Sequence, residues 1–281
     1  MHPESLAVIG LGAIGGSVAW QAARAGVARV LGCASTPTDG TAALRVGAVT
    51  ELVTAPERAV ERADLVVLAA PPRPTLDLLT ALGPALAARR CLCTDVTSVK
   101  VPVVRRAREL GLGALFAGSH PFAGTHERGF AAARPDLFTG CVVYVTPLEE
   151  GERAAAEVGD FWHRVLGAHT VPLPAETHDA LLAWTSHLPQ AIASALAVAL
   201  GEHTPRGASV GSGAKSTTRL AASSVAMWTD ILLLNRASVL EALGAFGATT
   251  DALRRALETE DAAELTRWLE AGRAWRAQFD D

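Results

Sequence analysis

The chain has 281 residues, 49% of them hydrophobic and 19% charged, with a formal net charge of −4. That length is generous for one core and suits a dinucleotide-type half followed by a second domain. The balance excludes a polyanion-binding surface, so nucleic acid is not an expected partner. The first residues are too few and too polar for a signal peptide, and the apolar run around residues 191–200 is too short to span a bilayer.

The first predicted element is a short apolar strand, Leu6 to Ile9, running into Gly10-Leu11-Gly12-Ala13-Ile14-Gly15. Ile14, Val18 and Ala22 then recur at helical spacing as far as Gly26. Strand, G-x-G-x-x-G and helix in this order are the context that the dinucleotide fingerprint requires. Gly10 permits the tight turn, Gly12 lets the backbone approach a pyrophosphate, and Gly15 allows close helix–strand packing. The helix amino end would offer free amides to the phosphates.

A second strand, residues 28–33, ends at Ala34-Ser35-Thr36 with no acid to hold the adenosine ribose. NAD and NADP both remain open as cofactor, and the hydroxyls of Ser35 and Thr36 are candidates to donate to a 2′-phosphate. The next strand, residues 64–70, ends at Ala70-Pro71-Pro72, with a helix expected over 75–87. A further strand, residues 91–95, leads into Thr97-Ser98-Val99-Lys100 and a helix over 103–110. This alternation predicts an α/β fold: a Rossmann-type, doubly wound parallel sheet whose ligands bind at the carboxyl ends of the strands.

Residues 114–117 read as a buried strand delivering His120 just beyond its end. A lone histidine is more often structural than catalytic, so its meaning depends on what gathers around it. After strands near 142–145 and 170–173, with a helix over 149–166 between them, the sequence turns almost wholly helical. The expected boundary separates a dinucleotide-binding domain, 1–174, from an all-helical substrate and dimerisation domain, 175–281. Pro189 should kink the first of these helices, where Ser186 and Gln190 lie four apart and share a face. Lys215 and Arg219 are likewise four apart and, if helical, form one cationic face suited to carboxylates. The apolar run 228–234 is too greasy for a lone surface helix and is assigned to an interface. Lysine occurs only at 100 and 215 in an arginine-rich chain, which points to sites where a compact ammonium is needed. The four cysteines, Cys33, Cys91, Cys93 and Cys141, have neither disulfide nor zinc spacing, and no metal is expected; a reduced, cytoplasmic setting is.

Gly10 to Gly15, Thr94-Asp95-Val96-Thr97-Ser98-Val99-Lys100, Gly118-Ser119-His120-Pro121-Phe122-Ala123-Gly124-Thr125, Ser186-His187-Leu188-Pro189 and Lys215-Ser216-Thr217-Thr218-Arg219 resemble the prephenate/arogenate dehydrogenase family. These motifs stand in family order over residues 6–236. The resemblance implies NAD(P)-dependent oxidative decarboxylation of a cyclohexadienyl carboxylate by a homodimer. It makes His120 the base, Ser98 its hydrogen-bonding partner and Arg219 a carboxylate binder. Lys215, Ser186, His187, Gln190, Thr125, His126 and Thr97 map onto the same pocket. The loops Gly10 to Gly15, Ala34 to Thr36 and Ala70 to Pro72, together with Thr97, fall to the cofactor.

Four positions depart from the family pattern: Gln190 replaces a frequent histidine, His126 and Ser216 replace frequent acids, and Thr97 replaces a glycine. Prephenate is the expected substrate. Fewer acids argue against the ammonium of arogenate, and Thr97 keeps 4-amino-4-deoxyprephenate as the runner-up. A non-catalytic dinucleotide-binding regulator is the alternative of another class.

Overall fold

The structure is a computed structural model that describes residues 1–123, 127–205 and 207–279. Five parallel strands open the fold: β1 (Ser5–Ile9), β2 (Arg29–Cys33), β3 (Glu51–Leu52), β4 (Leu65–Leu68) and β5 (Leu92–Asp95). Between them run α1 (Ala13–Arg24), α2 (Pro37–Arg45), α3 (Pro56–Val60) and α4 (Pro72–Arg89), and α5 (Val101–Glu109) follows. The strand order is β3-β2-β1-β4-β5, so connections leave β1 and β4 in opposite directions. The glycine loop after β1 therefore sits at the switch point of the sheet, where such folds bind ligands.

Both faces of this sheet are buried. Leu6, Val8, Leu65 and Val67 pack into one apolar cluster, while Ala7, Ile9, Val66 and Leu68 pack into another. Alternation of side chains along each strand sends successive apolar residues to opposite layers, as a helix-covered parallel sheet requires. Cys33, Cys91 and Cys93 are buried free thiols, and Cys141 is a half-buried one.

The fifth apolar run, residues 114–117, behaves differently from expectation. Within 114–117 only Phe116 pairs with β5, as a single bridge to Cys93. The chain then leaves that sheet and forms β6 (Gly118–Pro121), antiparallel to β7 (Val142–Thr146), which pairs in parallel with β8 (His169–Pro172). His120 is thus inside a strand of a second, three-stranded sheet and not beyond the end of a strand in the first.

Helix α6 (Glu152–Asp160) and a π-turn at Phe161–Val165 lie between β7 and β8. From Ala175 onward every regular element among the described residues is a helix, beginning with α7 (Ala175–Leu182), α8 (Leu188–His203), α9 (Ser212–Thr217) and α10 (Val225–Leu234). A second compact unit, Arg236–Asp281, contains α11 (Arg236–Glu258) and α12 (Ala262–Arg276). Among the described residues no single helix is long and apolar enough to cross a membrane.

Candidate active site

The glycine loop has the shape its sequence demands. Gly10 adopts φ +103°, and a Cβ there would lie 2.3 Å from the Ala69 carbonyl oxygen. A Cβ on Gly15 would fall 1.9 Å from the Gly10 carbonyl oxygen. At Gly12, the N-cap of α1, a Cβ would meet nothing within 4 Å. The two outer glycines are therefore required by the fold itself, and the middle one leaves open space before a helix amino end. Open space and free amides are what a pyrophosphate needs, so these residues fit a dinucleotide. The Leu11 side chain is buried in the core, which leaves its backbone for that role.

At the end of β2 one assignment changes. Thr36 is the N-cap of α2: its oxygen accepts the Asp39 N–H, and its hydroxyl donates to Asp39 Oδ2 at 2.8 Å. Asp39 Oδ1 in turn accepts the Phe130 N–H at 2.7 Å. Thr36 is thus occupied by capping, while Ser35 is exposed beside the half-buried Ala34. Ala70 accepts the Thr75 hydroxyl at its carbonyl, and Pro71 and Pro72 begin α4, where a missing N–H costs nothing.

The turn after β5 is built around a buried ion pair. Lys100 is fully buried, and its ammonium donates to Asp95 Oδ2 at 2.5 Å and to the Ser119 carbonyl at 2.6 Å. Asp95 also accepts the Thr97 N–H at 2.8 Å and the Ser119 N–H at 3.2 Å. Gly118 is what lets β6 approach so closely. A Cβ there would be 2.3 Å from Thr146 Oγ1 and 3.3 Å from Lys100 Cδ. Burial lowers the pKa of the Lys100 ammonium, and the Asp95 carboxylate opposes that shift.

Thr97 corrects the expectation that it faces ligand. It is buried, and its hydroxyl lies 2.5 Å from Asp95 Oδ2 and 2.9 Å from the Val99 carbonyl. A carboxylate already neutralising an ammonium draws the hydroxyl inward.

Ser119, between Lys100 and His120, is held from below as well. Trp162 Nε1 donates to Ser119 Oγ at 2.9 Å, and Ser119 Oγ is 2.6 Å from Thr94 Oγ1. His120 alternates with Ser119 along the strand and points to the opposite face, half-buried. Its Nδ1 is 2.9 Å from His178 Nε2. This partner comes from α7, and the hydrogen bond expected from Ser98 is not the one His120 makes. Ser98 itself is half-buried in the β5–α5 turn.

His178 Nδ1 lies 2.8 Å from Asp179 Oδ1. Both Asp179 oxygens also accept backbone N–H groups, from Lys100 at 2.7 Å and Val101 at 2.8 Å, at the amino end of α5. The Asp179 carbonyl accepts from Asn235 Nδ2 at 2.7 Å, and that amide nitrogen is 3.1 Å from His187 Nδ1. Burial, followed by the charges of His178, Lys100 and His187, holds the His120 imidazole well below its usual range. His178 is lowered mainly by burial, against the raising effect of its Asp179 hydrogen bond. Burial takes His187 down to about 4.

The kink expected at Pro189 takes the form of a π-turn, Ala183–His187, immediately before α8. The wider turn shifts the four-residue facing, so Gln190 is buried while Ser186 is only half-buried. Gln190 Nε2 donates to the Leu220 carbonyl at 2.9 Å and thereby anchors the 3₁₀ turn Arg219–Ala222. Gln190 Oε1 and His187 Nε2 are buried without a hydrogen-bond partner among the described residues. Helix α9 stops at Thr217, so Lys215 and Arg219 do not share one helical face. Both cations are exposed, and neither forms an ion pair with a described residue. Thr125 and His126 lie outside the described residues.

Sequence reasoning missed His178, Asp179 and Asn235. The adjacent His-Asp pair was a signal, but nothing in its spacing tied it to His120.

Comparison with known proteins follows this architecture. The family model described as "Prephenate dehydrogenase, nucleotide-binding domain" matches residues 19–171, and "Prephenate dehydrogenase, dimerization domain" matches 174–271. The prephenate dehydrogenase of Bacillus subtilis is 31% identical over 280 residues, covering 97% of this chain and 75% of the relative. The crystal structure of prephenate dehydrogenase from A. aeolicus with hydroxyphenyl propionate and NAD+ superposes with a TM-score of 0.91 at 29% identity, covering 98% of each chain. The structure of Synechocystis arogenate dehydrogenase gives a TM-score of 0.83 at 26% identity, covering 98% of this chain and 99% of that one.

Proposed function

The chain belongs to the prephenate dehydrogenase family, and from that premise we propose that it oxidatively decarboxylates prephenate to 4-hydroxyphenylpyruvate with NAD or NADP. The observation that carries this reading is His120: a half-buried imidazole held well below its usual range, with Nδ1 engaged by His178 and Nε2 without a hydrogen-bond partner among the described residues.

Prephenate bears a hydroxyl at C4 and a carboxylate at C1 of a non-aromatic ring. His120 takes the hydroxyl proton as the C4–H bond breaks with its electron pair, and the C1–carboxylate bond then releases CO₂ and restores the aromatic ring. Aromatisation supplies the driving force, so the protein mainly orients the ring and holds charge. Gly10 to Gly15, Ser35 and the turn at Ala70 to Pro72 would hold the dinucleotide, which supplies the hydride acceptor when bound. Ser98, half-buried in the turn after β5, would hydrogen-bond the ring substituent. Arg219 suits a bidentate grip on one carboxylate, with Lys215 as a second cation.

Two cations without a paired acid among the described residues favour prephenate, a dianion, over arogenate, whose ammonium cancels one charge. The case for 4-amino-4-deoxyprephenate rested on Thr97 beside C4, and the inward turn of Thr97 withdraws that support. His187 Nε2 and Gln190 Oε1, without a partner among the described residues, offer polar contacts for the remainder of the substrate.

We assign residues 1–174 to dinucleotide binding and 175–281 to substrate binding and homodimer formation, in a cytoplasmic enzyme. Apolar side chains left exposed support a dimer, including Val225 and Leu233 on α10 and Leu240 and Leu257 on α11. The test is spectrophotometric: reduced cofactor should appear with prephenate, and no turnover with prephenate, arogenate or the amino analogue would sink the proposal.

A further inference from the structure

The hydrogen bond between His120 and His178 leaves open which His120 nitrogen carries the proton, yet only a bare Nε2 can act as base. Asp179 decides this. Its carboxylate is fixed at the amino end of α5 by two backbone N–H groups, 2.7 and 2.8 Å away, and a carboxylate can only accept. His178 Nδ1, 2.8 Å from Asp179 Oδ1, must therefore carry hydrogen. In a neutral ring that leaves His178 Nε2 as a lone pair. It faces His120 Nδ1 at 2.9 Å, so His120 must donate there and keep Nε2 bare. His178 is fully buried, which keeps water from competing for either bond.

We propose that His178 and Asp179 are positioning residues that lock His120 in the Nδ1–H tautomer and stabilise its imidazolium once Nε2 has taken the substrate proton. This rests on reading His120 as the base. No proton need leave the relay: the new charge on His120 is met through Nδ1–H and His178 by the Asp179 carboxylate. Other polar groups face the pair from each packed element. They are Lys100 and Asp95 from the β5–α5 turn, His187 before α8, and Tyr144 on β7, whose ring centroid is 5.7 Å from that of His178. Lys100 is neutralised by Asp95, which leaves Asp179 as the anion in direct contact with His178.

Capping α5 would by itself explain why Asp179 is anchored, so the test needs a signal that a cap does not move. Nitrogen-15 NMR of histidine-labelled protein, with the His120 signal assigned by its loss in His120→Asn, reads the tautomer directly. Wild-type protein should show His120 protonated at Nδ1, the less common neutral form. In Asp179→Asn the amide can donate to His178, which reverses both rings and moves the His120 proton to Nε2. For that variant, kcat should fall on the order of 10²- to 10⁴-fold while dinucleotide affinity, read by fluorescence titration, stays within a few-fold. His178→Phe keeps an aromatic ring against Tyr144 but removes the acceptor, and it should lower kcat with little change in KM. Wild-type His120 protonated at Nε2, or kcat within threefold of wild type in both variants, would overturn the proposal. Full turnover in His120→Asn would sink the base assignment instead, while an Nδ1–H signal would still support the relay.

Discussion

His120 Nδ1 lies 2.9 Å from His178 Nε2, a pairing between a strand residue and a helix residue 58 positions later in the chain. The bond leaves one imidazole nitrogen of His120 for chemistry. Replacing His120 with Asn should lower kcat by about 10²- to 10⁴-fold and leave dinucleotide binding intact. Near-normal turnover would remove His120 from the mechanism.

The same environment sets the pH dependence. His120 is held well below the usual imidazole range, so its basic form should persist through pH 6.5. The acid limb of kcat/KM is therefore expected below that value. A limb centred at pH 7 or higher would contradict it.

Stability should also fall on the acid side. His187 titrates near 4 when folded and near 6.5 when unfolded, so below about pH 6.5 the unfolded chain binds more protons. Its contribution is complete above the unfolded pKa and is lost as pH falls toward 4, amounting to about 3 kcal/mol. Tm measured from pH 7 to 4 should drop, and less steeply in His187→Asn. Equal slopes would discount His187 as the cause.

Lys100 is a structural cation beneath the base. Lys100→Met would leave Asp95 buried without its counter-charge, at a cost of about 3–5 kcal/mol. It should also free the Ser119 carbonyl and so loosen His120. Denaturant melts measure the first effect and kcat the second. A variant as stable as wild type would show that the pair contributes little.

The glycines separate fold from ligand. Gly15→Ala should unfold or strongly destabilise the first unit, because its methyl would sit 1.9 Å from a carbonyl oxygen. Gly12→Ala meets no protein atom within 4 Å and should fold normally, with dinucleotide affinity weakened at least tenfold. Unchanged binding in Gly12→Ala would place the phosphates elsewhere.

For Arg219→Ala, the expected change is a KM for prephenate raised roughly tenfold or more, with a smaller effect on kcat. Because Arg219 is exposed and unpaired among the described residues, Tm should not move. Unchanged kinetics would exclude it as a carboxylate binder.

What the sequence determined by itself was whatever depends on local pattern. The glycine loop is legible because a tight turn, an open helix end and a close contact each demand glycine at a fixed step from a strand. The alternation of buried strands and helices fixed the parallel sheet for the same reason. Tertiary structure decided everything that depends on partners distant in the chain. Phe116 makes only one bridge to β5 because the chain finds β7 as a better partner, which moves His120 into a second sheet. Thr97 turns inward because Lys100 and Asp95 collect polar groups around a buried charge, and charge satisfaction has no sequence period. Likewise His178 and Asp179 gain meaning only when α7 packs its histidine against His120. A hydrogen bond across 58 residues leaves no spacing to read, and it is this bond that decides which nitrogen of His120 is free.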